Sequence, residues 1–454
     1  MTSVIVVGAS VAGLLTARAL ADVADDVVVL ERERLDDVVA PRGHVPQGRH
    51  LHLLLSAGLD LLGGWFPGID DELESRGAVR VDGTRAWVHQ SGGYRARGDW
   101  GRPVLSMTRP LLEQVVRRRV RELGNVTVRD GVVVDRVAAR AGRISGVVVK
   151  GTVQHADLVV DCAGRSSRIA QQLETSELLA PPVSRVSIDC AYTSGFLPRS
   201  ADDFDGSFLV CGTSPPESFR VGAVLPVEGD RWMVTLAGVH GDVPGTEPDE
   251  VLSFARSLPT PAVGQLVARL GPLSSATAYR FPSSRRRHYE KLPALPAGLV
   301  TLGDAACSFN PIYGQGMACA ALQAQALAAT VVEVGLRSDV LPVRFHRRAA
   351  HIIDAPWAIA VGADFLHPRT VGPKPPATDL ANRNTQRLVR ATHTTLPLAR
   401  TFNRVVNLVE PPLALARPSV VARVGASWVG ASPVGARWRR VPAAHPRVGP
   451  PPVV

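Results

Sequence analysis

Two glycine-rich stretches, almost three hundred residues apart in a chain of 454, hold the residue types best suited to chemistry. The first is Gly8-Ala9-Ser10-Val11-Ala12-Gly13, the spacing of a dinucleotide-binding turn with Ser10 in place of the second glycine. Gly8 permits a tight turn, the small residue at Ser10 lets backbone approach a pyrophosphate, and Gly13 lets a helix pack closely on its strand. The start of that helix adds about half a positive charge facing the phosphates. Glu31, 18 residues beyond Gly13, is placed to accept hydrogen bonds from a ribose diol. The plainer alternative is a glycine-rich packing turn beside a surface glutamate.

The turn alone does not separate NAD from FAD. The later stretch decides: Gly303-Asp304-Ala305-Ala306, then Pro311, then Gly314-Gln315-Gly316 entering a helix. An aspartate at a strand end can hydrogen-bond a polyol such as a ribityl chain, and free amides at a helix start can face a delocalised anion. Reduced flavin is such an anion.

Hydrophobic patterning supplies the elements that must position these residues. Residues 4–7 form a β-branched run, 14–21 read as helix and 27–30 as a second buried strand, a βαβ unit that implies a parallel sheet. Residues 51–62 and 110–123 read as helices, with short strands at 126–128, 132–137 and 144–149. Strands punctuated by Gly and Pro between 184 and 279 form a second, sheet-containing unit. Residues 299–302 and the Ala-rich helix 316–334 return to the first. Residues 344–410 read as helical, whereas 411–454, with nine prolines in 44 residues, suit an extended or mobile tail.

Composition bounds the function. A 45% apolar content supports a large core. The five cysteines are scattered without a C-x-x-C pair, which points to a reducing compartment and away from structural zinc. The apolar N-terminus lacks a signal peptide's positive region, and no clean run of 18 apolar residues is present, so a cytoplasmic protein without a membrane span is expected. Basic residues exceed acidic ones by 51 to 41, but positions 383–454 contribute eleven Arg against Glu410 alone, leaving the rest neutral. That distribution argues against a nucleic-acid partner. Arg117–Arg119 and Arg285–Arg287 read as solvated faces, and Cys307 as a small buried filler. His50 and His52 lack a third ligand nearby, so packing or a flavin-side contact is expected and no metal site.

Together the early fingerprint, Glu31 and the Gly-Asp segment with Pro311 resemble the para-hydroxybenzoate hydroxylase superfamily of FAD-dependent monooxygenases over residues 1–350. Within it, the segments 42–52 (RGHVPQGRHLH) and 309–317 (FNPIYGQGM) are most similar to flavin-dependent epoxidases of polyether antibiotic biosynthesis. The resemblance implies an α/β fold: a Rossmann-like FAD-binding domain (1–172, completed by 295–343), an inserted sheet-containing substrate domain (173–294) and a helical C-terminal region (344–410) before the tail. It implies that Gly8, Ser10 and Gly13 form the nucleotide turn, Glu31 binds the adenosine ribose and Arg42 and Arg109 approach the phosphates. Backbone near Val133 would meet the adenine, Asp304 the ribityl chain, and Pro311, Gly314 and Gly316 the isoalloxazine.

The implied reaction transfers one oxygen atom from a flavin C4a-hydroperoxide to an alkene of a polyketide-like or terpenoid substrate. Partners are then an apolar small molecule, O2, and NADPH or NADH acting directly or through a separate flavin reductase. Cys307 and Ala318 depart from the His and Asn common in aromatic hydroxylases, and 157–168 only resembles the family's second Asp-Gly motif. Aromatic hydroxylation, isoprenoid reduction and non-enzymatic flavin binding remain alternatives, whereas the W-x-W-x-I-P pattern of flavin halogenases is absent.

Overall fold

The β-branched run Ser3–Val7 is the central strand of a five-stranded sheet ordered Leu299–Thr301, Leu158–Asp161, Ser3–Val7, Asp26–Leu30 and Val126–Arg129. The computed structural model describes residues 1–174, 180–200, 202–429, 446 and 448. Every pairing in this sheet is parallel, and both faces are covered. Val4 and Val6 pack with Leu14 of helix Val11–Ala21 and with Ala324 and Leu327 of helix Gly316–Val334. Ile5 and Val7 point the other way, into a cluster with Ile144 and Val147 of a three-stranded antiparallel layer. Alternation of side chains along the strand therefore places Val4 and Val6 in one core and Ile5 and Val7 in the other.

Register decides where ligands can reach this sheet. Val7 lies opposite both Leu30 and Asp161, and Asp161 lies opposite Thr301. The carboxyl ends of four strands are thus level, and the turns that follow them open at one edge, where open α/β sheets bind ligands.

A second, eight-stranded sheet is built mainly from Val183–Pro198, Phe208–Cys211, Val221–Val227, Arg231–Val239 and Ser274–Arg287. It also takes in Ala86–Gln90 and Gly93–Tyr94 at one end and Cys307–Ser308 at the other. Helices Pro248–Arg256 and Ala262–Leu270 cover one face around the fully buried Trp232. Ile188, Tyr192, Val221 and Phe281 form a separate apolar cluster. Helices Leu341–Asp364, Thr378–Ala391 and Leu396–Val406 complete the fold.

Two expectations need correction. Residues 412–416 and 418–429 are helical rather than extended, because Pro418 occupies a first-turn position and Val420 buries against Leu388, Leu398 and Phe402. Residues 430–445, 447 and 449–454 lie outside the described part of the tail. Arg117, Arg286 and Arg287 are buried rather than solvated, their guanidinium groups bonded to the Asp36 carbonyl, to Asp354 and Glu290, and to Glu174 and the Ala305 carbonyl. Helix Gly316–Val334 is long and apolar enough to cross a membrane, yet it packs on Val11–Ala21 and Leu341–Asp364, with 56% of its apolar window buried.

Candidate active site

At the level strand ends the two distant glycine stretches meet. A Cβ added at Gly303 would sit 3.1 Å from that of Ala12. The cavity beside them has a volume of about 1430 Å³, beyond the roughly 300–1,000 Å³ usual for one small ligand. Gly8, Ser10, Glu31, Arg42, Arg109, Val133, Asp304, Pro311, Gly314 and Gly316 all line it. Gly13 lies behind this wall, where a Cβ would stand 1.8 Å from the Gly8 carbonyl oxygen. Gly8 itself has φ +103°, and a Cβ there would meet the Cys162 carbonyl oxygen at 2.7 Å. Strand, turn and helix can approach this closely only without those side chains.

Charge at the nucleotide end is arranged around a residue that sequence reading did not single out, Glu113. It is buried on helix Arg109–Arg121, accepts Nε of Arg109 at 2.8 Å and the Ser10 hydroxyl at 2.6 Å, and lies 3.6 Å from Arg42. Burial alone would raise its pKa, but Arg109, Ser10 and Arg42 outweigh burial and hold it low. Arg42 also bridges Glu31 at 2.7 Å and Glu33 at 2.9 Å. Glu31 accepts the Ala9 amide at 2.8 Å, so its carboxylate is tied to the turn. The Arg109–Glu113 spacing, one helical turn, was the readable signal for this network.

His50 and His52 flank Arg109. His52 Nε2 lies 3.3 Å from Arg109 Nη1, and its Nδ1 is 2.9 Å from the His50 carbonyl. His50 pairs through Nδ1 with the Ser194 hydroxyl at 2.9 Å and packs edge-on against Tyr192. Burial, aided by Arg49, lowers the His50 pKa to about 4; burial and Arg109 take His52 to about 3. Both imidazoles are therefore neutral at neutral pH. Among the described residues no cluster suited to a metal is present.

Asp304 stands on the cavity wall without a side-chain hydrogen bond among the described residues. Burial raises its pKa while Arg109, Arg165 and Arg285 oppose that shift. Arg165 is braced by the hydroxyls of Ser308 at 2.7 Å and Ser283 at 3.1 Å. A carboxylate with free acceptors, a turn of small residues and the first amides of a helix, which have no partner within it, fit a dinucleotide's ribityl, pyrophosphate and ring respectively. Beyond this polar rim the wall is largely apolar, with Ile188, Tyr192, Val221, Phe281, Leu366 and Phe402 among its residues. Asp364 is a polar exception: it is 3% exposed, takes Asn310 Nδ2 at 2.8 Å, and burial pushes its pKa up to about 7. Nothing in the local sequence marked it.

Residues 1–339 match the family model described as FAD binding domain. Over 427 residues the chain is 32% identical to Protein Rv3254 of Mycobacterium tuberculosis (strain ATCC 25618 / H37Rv), covering 89% of each chain. It is similar to the tetrameric form of 2-methyl-3-hydroxypyridine-5-carboxylic acid oxygenase, with TM-score 0.63, 19% identity, and coverage of 90% of this chain and 98% of that one. For pqsL of Pseudomonas aeruginosa, a probable FAD-dependent monooxygenase, the values are 0.62, 17%, 80% and 97%. For the flavin-dependent brominase Bmp2 they are 0.58, 16%, 93% and 94%. At these identities the solved structures establish a shared fold.

Proposed function

The chain belongs to the FAD binding domain family, and we propose that it transfers one oxygen atom of O2 to a carbon–carbon double bond of an apolar polyketide-like or terpenoid molecule. NADPH or NADH supplies the electrons. The observation that carries this reading is one cavity running from the Gly8–Gly13 turn past Asp304 into an apolar chamber. Bound reduced flavin with O2 supplies an electrophilic oxygen atom.

The protein's part is positioning and exclusion. Ser10, Arg42 and Arg109 hold the pyrophosphate, and Glu31 takes the adenosine ribose in exchange for part of its bond to Arg42. Backbone at Val133 meets the adenine. Asp304 accepts from the ribityl hydroxyls. Pro311, Gly314 and Gly316 present backbone to the ring system, where a Cβ at either glycine would enter open space. Ile188, Val221 and Phe281 would keep water from the reacting atoms and orient the alkene toward the cofactor side of the cavity. No side-chain nucleophile is required: Cys307 is buried, and that burial holds its thiol protonated.

Hydroxylation of a phenolic ring is the second reading, and the buried Asp364 carboxyl favours it as an available proton acceptor. The test is turnover under 18O2 with NADPH and a panel of apolar alkenes and phenols, read by mass spectrometry. Epoxides bearing one labelled oxygen support the proposal. Labelled catechols move the assignment to the second reading, and unlabelled, hydrogenated products would place the chain among reductases.

A further inference from the structure

Asp364 ends helix Leu341–Asp364 on the wall of the cavity, beside the segment that precedes helix Gly316–Val334. One oxygen, Oδ1, is taken by Asn310 Nδ2 at 2.8 Å and approached by the Tyr313 hydroxyl at 3.5 Å. The other, Oδ2, is buried and has no hydrogen-bond partner. The groups facing the carboxyl are Asn310, Tyr313 and, from the second sheet, the Cys190 thiol; on its own side, Thr370 and His367 bond only its backbone carbonyl. No cation pairs with it among the described residues. Asn310 in turn is locked: its Oδ1 accepts the Ile312 amide at 3.1 Å and its own amide donates to Ser284. The carboxyl is therefore held at one place with one oxygen unused, a costly arrangement unless something else fills it.

We propose that Asp364 determines specificity, accommodating a neutral hydroxyl or N–H group of the substrate beside its carboxyl and rejecting substrates that bring a carboxylate to that point. This deepens the oxygenase reading and rests on it, since the chamber is taken as the substrate side of the cofactor. A hydroxyl can accept from the protonated acid or donate to the carboxylate, so it is held in either state. An anion beside an uncompensated carboxylate meets like charge at low dielectric, a penalty that works as discrimination. Because burial brings the pKa to about 7, the penalty relaxes on acidification.

Calorimetric titration of the FAD-loaded protein with 2-naphthol and with 2-naphthoate, two probes of nearly one shape, tests this. At about pH 8 the wild type binds naphthol about tenfold tighter or more, and at about pH 5.5 the gap narrows because naphthoate gains affinity. Asp364→Asn removes the gap at both pH values. The proposal is overturned if naphthoate binds the wild type as tightly as naphthol, if naphthol shows no saturable binding, or if the gap survives the substitution or the acidification. The wild-type pH comparison stands even where the variant folds poorly. Visible absorbance of the same samples reads flavin content separately. A colourless wild type sinks the cofactor reading and this inference with it, whereas a yellow wild type without the gap sinks this inference alone.

Discussion

Glu113 shows how a single buried carboxylate can organise a site that binds anions. It neutralises Arg109 and Arg42 and orients Ser10, yet bound pyrophosphate brings negative charge to the same guanidinium groups. Glu113→Gln leaves buried positive charge short of a partner, and urea unfolding of the flavin-free protein should show a loss of about 3 kcal/mol. FAD should then raise the melting temperature more in the variant than in the wild type; an equal rise contradicts this role. Asp304→Ala should lose FAD on gel filtration, and a variant that keeps its full yellow colour rules out the ribityl contact. Asp364 gives a pH prediction with a definite sign. Its pKa is raised from 3.8 to about 7, so its folded-state contribution is fully present below its unfolded pKa and lost as pH rises through 7. Asp364→Asn should therefore be more stable than wild type above pH 7, by up to a few kcal/mol, and lose that advantage near about pH 4. His50, His52 and His346, all pushed down chiefly by burial, act in the opposite direction but equally in both proteins.

Among the elements, the strand–turn–helix at the start carries the tightest tolerance. The Gly13 position leaves 1.8 Å where a methyl group would go, so Gly13→Ala must push helix Val11–Ala21 off its strand. We expect a cost of about 1–3 kcal/mol and greatly reduced flavin content, measured by thermal melting and visible absorbance. Unchanged values would mean that the turn is looser than described. At the other end, helix Pro418–Val429 buries Val420 against Leu388, Leu398 and Phe402. Val420→Asp should cost about 3 kcal/mol, and an unchanged melting temperature would favour an extended tail instead. Proline content misled the sequence reading here because Pro418 opens the helix rather than interrupting it. The arginine runs misled it for a related reason: strand Ser274–Arg287 turns Arg286 and Arg287 to opposite faces that are both covered, and only tertiary partners such as Asp354 and Glu174 reveal the burial.

For the whole molecule, the parallel sheet and the convergence of both glycine stretches were legible because local rules and the fold agree at those points. Val4–Val7, Gly8, Gly13 and Gly303 each need a residue type that only one backbone arrangement explains. Asp364 was not legible, since a helix-terminal aspartate looks the same whether it meets water or a closed chamber. The strands at Ala86–Gln90 and Gly93–Tyr94 join the second sheet from far away in sequence, a pairing that local patterning does not encode. The central claim is that one FAD spans the cavity, its AMP half at the Gly8–Gly13 turn and its ring half at Asp304 and Pro311. The most direct measurement is a fluorescence titration of the flavin-stripped protein with FAD, FMN and ADP. The account predicts one FAD per chain, bound about a hundredfold tighter or more than either half-ligand, because both ends are gripped at once. FMN binding as tightly as FAD would leave the early turn idle and contradict it.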